Sequence, residues 1–210
     1  FLQALTRLWR SEAHDAADRP YNLPFGGGWF AYLGYELALE TEPTLARHWP
    51  KSSRRDGRPV AIALRVPAAL LCDGEGRGYL VAEAGVTTAE LDQLRSDVAQ
   101  ANQAPVSHGA GPDIELVEED PQAYLTRIRQ AQEHIRAGDI YQANLSRYWR
   151  ARLPQDVAAA DLYGRLRRAN PAPFAAFAQF GDFRVLSSSP ERLLRIRGRR
   201  VDTRPIAGTH

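Results

Sequence analysis

The chain has 210 residues, of which 44% are hydrophobic and 25% charged, and a net charge of +2. That composition provides for one substantial core or two small ones, and the charge is too small to mark a nucleic-acid partner. There is no apolar run long enough to cross a membrane and no signal-peptide pattern, and Cys72 is the only cysteine, so the expected chain is cytoplasmic, free of membrane and of internal disulfides.

Methionine is absent and the sequence starts at Phe1, so it reads as part of a longer translation product. Leu2, Leu5, Leu8 and Trp9 give Phe1–Arg10 a helical stripe. A polar, Gly/Pro-rich stretch over 11–28 ends in Gly26-Gly27-Gly28. The aromatic run Trp29–Tyr35 that follows predicts a strand. Residues 50–59 read as a loop and contain Lys51, the only lysine; every other basic residue is arginine. Val60–Leu71 and Gly78–Ala84 flank Asp73-Gly74-Glu75-Gly76 as a hairpin. Cys72, between Leu71 and Asp73, is expected in the core and not as a nucleophile.

Thr88–Gln100 has helical spacing with Glu90 placed for a capping box, and 101–113 reads as a linker. Asp120-Pro121 opens the clearest helix, striped by Tyr124, Ile128, Ala131 and Ile135 and closed by Gly138. A long strand is expected over Ile140–Leu153 and a helix over Val157–Arg168. Strands over Phe174–Phe180 and Phe183–Ser189 turn at Gly181-Asp182, and Leu193–Arg197 and Val201–Ile206 turn at Gly198. The order predicts an α+β fold with largely antiparallel sheet.

No dinucleotide or phosphate-loop motif is present, and the five histidines have no metal-ligand spacing; His134 is expected at the surface or boundary of its helix. Arginine pairs and runs, such as Arg195–Arg200, read as solvated charge. Three stretches carry more. Gly138-Asp139-Ile140-Tyr141-Gln142-Ala143-Asn144-Leu145-Ser146 compresses a helix end and a run of alternating polar side chains. Asn170-Pro171-Ala172-Pro173-Phe174 leads stiffly into a strand. Ser187-Ser188-Ser189-Pro190-Glu191-Arg192 leads toward Pro205-Ile206-Ala207-Gly208-Thr209, a turn suited to close backbone approach to a ligand.

These stretches, with Gly27–Glu36, resemble the chorismate-utilising enzyme family. The Gly138–Ser146 run is most similar to aminodeoxychorismate synthase component I, and anthranilate synthase component I is next. The similarity is dense over 115–210 and patchy over 26–40. It implies a two-sheet antiparallel sandwich with outer helices, incomplete in this chain: residues 1–113 as a partial N-terminal sheet and helix region, and 114–210 as the first part of the chorismate-binding region, ending before the metal site. It implies chorismate as substrate, Mg²⁺ held by groups outside this chain, and a glutamine amidotransferase subunit delivering ammonia.

By position in the family, Gly208 and Thr209 would line the chorismate pocket. Ala207 stands where many aminodeoxychorismate synthases carry a lysine nucleophile, whereas anthranilate synthases carry alanine there. Tyr141, Asn144, Pro173, Phe174 and Glu191 match a pocket that holds tryptophan in some members. The plainer alternative makes Phe174 a core residue and Glu191 an arginine partner. The resemblance thus favours amination of chorismate to 4-amino-4-deoxychorismate, on the route to para-aminobenzoate and folate. Anthranilate synthase is the alternative, and a non-catalytic tryptophan-binding or glutaminase-docking fragment the alternative of another class. The fragment alone is expected to be inactive.

Overall fold

The computed structural model describes residues 1–12, 23–49, 57–103 and 114–206. The chain divides into two units, Phe1–Val106 and Ser107–His210. It is α+β, and every strand pairing among the described residues is antiparallel, in ladders of two strands each.

In the first unit, α1 (Leu2–Ser11) precedes β1 (Gly28–Leu33), a 3₁₀ turn at Tyr35–Leu37, the short α2 (Ala38–Thr41) and a second 3₁₀ turn at Pro43–Arg47. Tyr35, expected at the end of the strand, instead lies in the first of these turns and stacks on Trp49. The single strand expected over Val60–Leu71 is two: β2 (Ala61–Val66) pairs with β1, and β3 (Ala68–Cys72) pairs with β4 (Gly78–Ala82). Pro67 is the break, since proline has no N–H to donate to a ladder. Its carbonyl accepts from the Glu83 amide at 2.9 Å. Cys72 ends β3 exposed, not in a core, because it sits beside the polar turn at Asp73.

That turn is organised by the Asp73 carboxylate, which accepts from the amides of Glu75 and Arg77, both at 2.9 Å, and from Arg77 Nε at 2.7 Å. α3 (Thr88–Gln103) is opened by a reciprocal capping box. The Thr87 amide donates to Glu90 at 2.8 Å and the Glu90 amide to Thr87 Oγ1 at 3.3 Å. Arg65 on β2 ties the unit together: it donates to Glu12 and Glu83, both at 2.5 Å, and to the Gly28 carbonyl at 2.9 Å, and lies 5.8 Å from the Trp29 ring centre. Leu37, at 8% exposure, is the only described residue that reaches the core by burial.

The second unit contains β5 (Leu116–Glu118), α4 (Pro121–Ala137), β6 (Trp149–Ala151), α5 (Ala159–Ala169), β7 (Phe174–Phe180), β8 (Phe183–Ser189), β9 (Arg192–Arg197) and β10 (Arg200–Arg204). The expected Ile140–Leu153 strand shrinks to β6, because its partner β5 offers only three residue pairs. The β7–β8 hairpin runs in register from Phe174 opposite Ser189 to Phe180 opposite Phe183, around Gly181 at φ +60°. Tyr163 of α5 stacks on Phe177 with ring centres 5.5 Å apart, so α5 covers the face that carries Phe177 and Leu186. Phe174, Ala176, Ser187 and Ser189 share the other face.

Candidate functional site

The first group of site residues is built by the end of α4. Asp120 caps the helix by accepting from the Gln122 amide at 3.0 Å, Pro121 occupies the first turn, and Gly138 ends it at φ +81°. Only glycine takes that left-handed position without strain. The amides of Gly138 and Asp139 return to the carbonyls of Ile135 and His134, and His134 Nδ1 lies 2.9 Å from the exposed Asp139 carboxylate. The chain then runs as irregular backbone to β6.

Along that run Tyr141 is 96% exposed. Asn144, with Ala143, Leu145 and Ser146, faces Tyr124 of α4 across an open cavity of about 440 Å³. The cavity offers an amide, a hydroxyl and an aromatic wall. Arg147 packs against the Tyr124 ring. The guanidinium lies 5.1 Å from the Tyr124 ring centre and 5.0 Å from that of Trp149, and it pairs with Glu118. Arg127 approaches the same tyrosine at 5.8 Å and pairs with Glu119 at 2.6 Å. A cation over an aromatic face contributes about 0.5–1 kcal/mol where water still reaches it. The sequence reading missed Tyr124 and Ser146 as cavity residues.

The second group sits at one end of β7–β8. Pro173 precedes Phe174, and Arg192 at the start of β9 places its guanidinium 5.2 Å from the Phe174 ring centre. Glu191 lies in the link from β8 to β9, where its amide donates to Ser189 Oγ at 3.4 Å. Ser188 Oγ donates to the Asn170 carbonyl, which fastens the proline-rich lead to the hairpin. Pro173, Phe174 and Glu191 therefore lie at the same end of the hairpin, where Phe174 pairs with Ser189. Of the five residues matched to a tryptophan-type pocket, only Asn144 lines the cavity beside Tyr124.

β10 ends at Arg204 and is followed by Pro205 and Ile206. Ala207, Gly208, Thr209 and Lys51 lie outside the described residues. Among the described residues no three His, Cys, Asp or Glu side chains are grouped to hold a metal ion, so Mg²⁺ is assigned no ligand here. Among the same residues, no helix is long and apolar enough to cross a membrane.

Residues 2–210 match the family described as chorismate binding enzyme. Anthranilate synthase component 1 of Cereibacter sphaeroides is 32% identical over 216 residues, which cover 94% of this chain and 41% of that protein. Aminodeoxychorismate synthase of Streptomyces griseus is 37% identical over 204 residues, covering 88% of this chain and 26% of that protein. The crystal structure of anthranilate synthase component I from Streptococcus pneumoniae superposes with a TM-score of 0.70 at 21% identity, over 92% of this chain and 45% of that one. The chain thus spans less than half the length of these relatives. With a family match running almost end to end and the fold of a solved member reproduced, this chain belongs to the chorismate binding enzymes.

Proposed function

We propose that the chain is part of component I of an aminodeoxychorismate synthase, which aminates chorismate to 4-amino-4-deoxychorismate with ammonia from a glutamine amidotransferase subunit. The observation that carries this reading is the Gly138–Ser146 run. Its left-handed glycine turns the chain off α4 and lays Asn144 and Ser146 against Tyr124. The identity to the Streptomyces griseus protein supports the same branch.

In this reading the Pro205–Thr209 turn forms one wall of the chorismate pocket. Gly208 admits the ring, and the Thr209 hydroxyl bonds a substrate oxygen. A methyl group at Ala207 has no lone pair, so no bond forms between that side chain and the ring. Ammonia adds directly: a C–N bond forms, the ring C–O bond breaks, and the hydroxyl departs with a proton as water. Mg²⁺, held by groups outside residues 1–210, remains part of the proposal. Pro173, Phe174 and Glu191 would form the wall of a tryptophan pocket, the ring packing on Phe174 and the ammonium near the carboxylate.

Ala207 favours a second reading, anthranilate synthase component I, in which amination is followed by loss of pyruvate. A tryptophan-binding or glutaminase-docking module without catalysis is the reading from another class. The test is product identity by mass spectrometry, using the polypeptide that carries this chain with chorismate, Mg²⁺ and ammonium. The proposal expects 4-amino-4-deoxychorismate. Anthranilate would replace it with the second reading, and no turnover would leave the module.

A further inference from the structure

Phe174 stands on the face of the β7–β8 hairpin opposite to the one that α5 covers, with Ala176 two places along and Ser189 and Ser187 across the ladder. These neighbours are small, and the phenylalanine keeps 36% of its surface open. The Arg192 guanidinium lies over its ring, 5.2 Å from the centre. Among the described residues no other cation or aromatic ring stacks on Phe174, and the Arg192 side chain has no hydrogen bond or ion pair, Glu191 included. The Arg192 backbone is held opposite Arg204 in the β9–β10 ladder. Like charges directly opposite repel, which favours the guanidinium lying on the ring over lying beside Arg204. One stack therefore holds this side chain, and it can leave the ring without moving the strand.

We propose that Arg192 is a gate on the Phe174 wall: its guanidinium occupies the ring face on which a flat aromatic ligand packs, and such a ligand binds by displacing it into water. The inference rests on the reading of Pro173, Phe174 and Glu191 as the wall of a tryptophan pocket, and adds the step that must precede filling it. A ring that replaces the guanidinium exchanges one contact on the π face for another. The stack is therefore subtracted from the affinity of the ligand, as for any site whose open form is only partly populated. A cation–π contact that water still reaches is equivalent to about 0.5–1 kcal/mol, or about 2- to 5-fold in affinity.

The test is calorimetry with L-tryptophan on the polypeptide that carries this chain, as wild type, Arg192→Ala, Phe174→Leu and the double variant. Arg192→Ala should bind about 2- to 5-fold tighter than wild type. In the Phe174→Leu background the same change should alter affinity by less than about 1.5-fold, because leucine offers the guanidinium no π face. NMR of the same proteins reads the stack without ligand. Arg192 side-chain protons should lie upfield in wild type, shielded by the ring, and return to solvent positions in Phe174→Leu. Tryptophan binding equally to wild type and Arg192→Ala would overturn the gate and leave the pocket. Weaker binding to Arg192→Ala would make Arg192 a ligand contact and overturn the gate too. So would unshifted Arg192 protons, whatever tryptophan does. Shifted protons with no tryptophan binding to either protein would remove the pocket reading, and the gate with it.

Discussion

Gly27→Ala tests how the first unit is held. Gly27 sits at φ +105°, and a Cβ built there would lie 2.2 Å from Glu83 Oε1 and 2.4 Å from Glu83 Cγ. Glu83 has no free retreat, because its other oxygen bonds Arg65 Nη2 at 2.5 Å and its side chain is only 19% exposed. Two costs follow. Positive φ at a residue with a Cβ costs about 1–2 kcal/mol. Pushing a half-buried carboxylate off its guanidinium costs about 1–2 kcal/mol more. The total expected is about 2–4 kcal/mol, read as the opening free energy of the β1–β2 amides by hydrogen exchange. In a Glu83→Ala background the collision is gone and only the backbone cost remains, so the same substitution should cost about 1–2 kcal/mol. The coupling between the two sites is therefore at least about 1 kcal/mol. An equal cost in both backgrounds would refute the reasoning, because Glu83 would then not be what excludes a side chain at Gly27.

Other consequences can be measured beside it. The Arg77 guanidinium, helped by the turn amides, holds the Asp73 carboxyl below the usual carboxylate range. The stability that the Asp73 charge adds to the β3–β4 turn is therefore complete above the ordinary carboxylate pKa and lost as pH falls through the lowered one. Asp73→Asn should speed amide exchange at Glu75 and Arg77 at neutral pH, and wild type and variant should converge in strong acid; a difference that persists there would contradict this. Asp120→Ala removes the cap of α4 and should cost about 1 kcal/mol of helix protection, with the first turn affected most. If Phe174 forms a tryptophan wall, calorimetry should show tryptophan binding to the polypeptide carrying this chain, weakened at least about tenfold by Phe174→Ala, since a lost aromatic contact costs more than about 1.4 kcal/mol. Unchanged affinity would remove Phe174 from that pocket.

Local signals carried much of this fold. Asp120, Pro121 and Gly138 bounded α4 because capping and left-handed φ are properties of single residues. Gly181 between two runs of alternating side chains likewise gave β7 and β8 their bounds. Where pairing decides, local pattern failed. Ile140–Leu153 alternates like a strand, yet only Trp149–Ala151 has a partner ladder. Pro67 was legible in principle, because a proline inside a strand pattern argues for a break.

The site followed the same division. The family motifs named Tyr141, Asn144, Phe174 and Glu191 as residues. The stacking of Arg192 on Phe174 and of Arg147 between Tyr124 and Trp149 depends on tertiary approach that no spacing encodes. Ala207, which the resemblance matches to the lysine position of aminodeoxychorismate synthases, lies outside the described residues, and the proposal uses only its side chain: a methyl group forms no covalent bond to a substrate.

Pyruvate released per chorismate consumed tests the central claim most directly. The polypeptide carrying this chain is supplied with chorismate, Mg²⁺ and ammonium, and pyruvate is followed by its reduction to lactate. Amination that retains the enolpyruvyl group predicts chorismate loss with no accompanying pyruvate. Pyruvate appearing mole for mole with chorismate loss would contradict the aminodeoxychorismate assignment and establish the anthranilate reaction in its place.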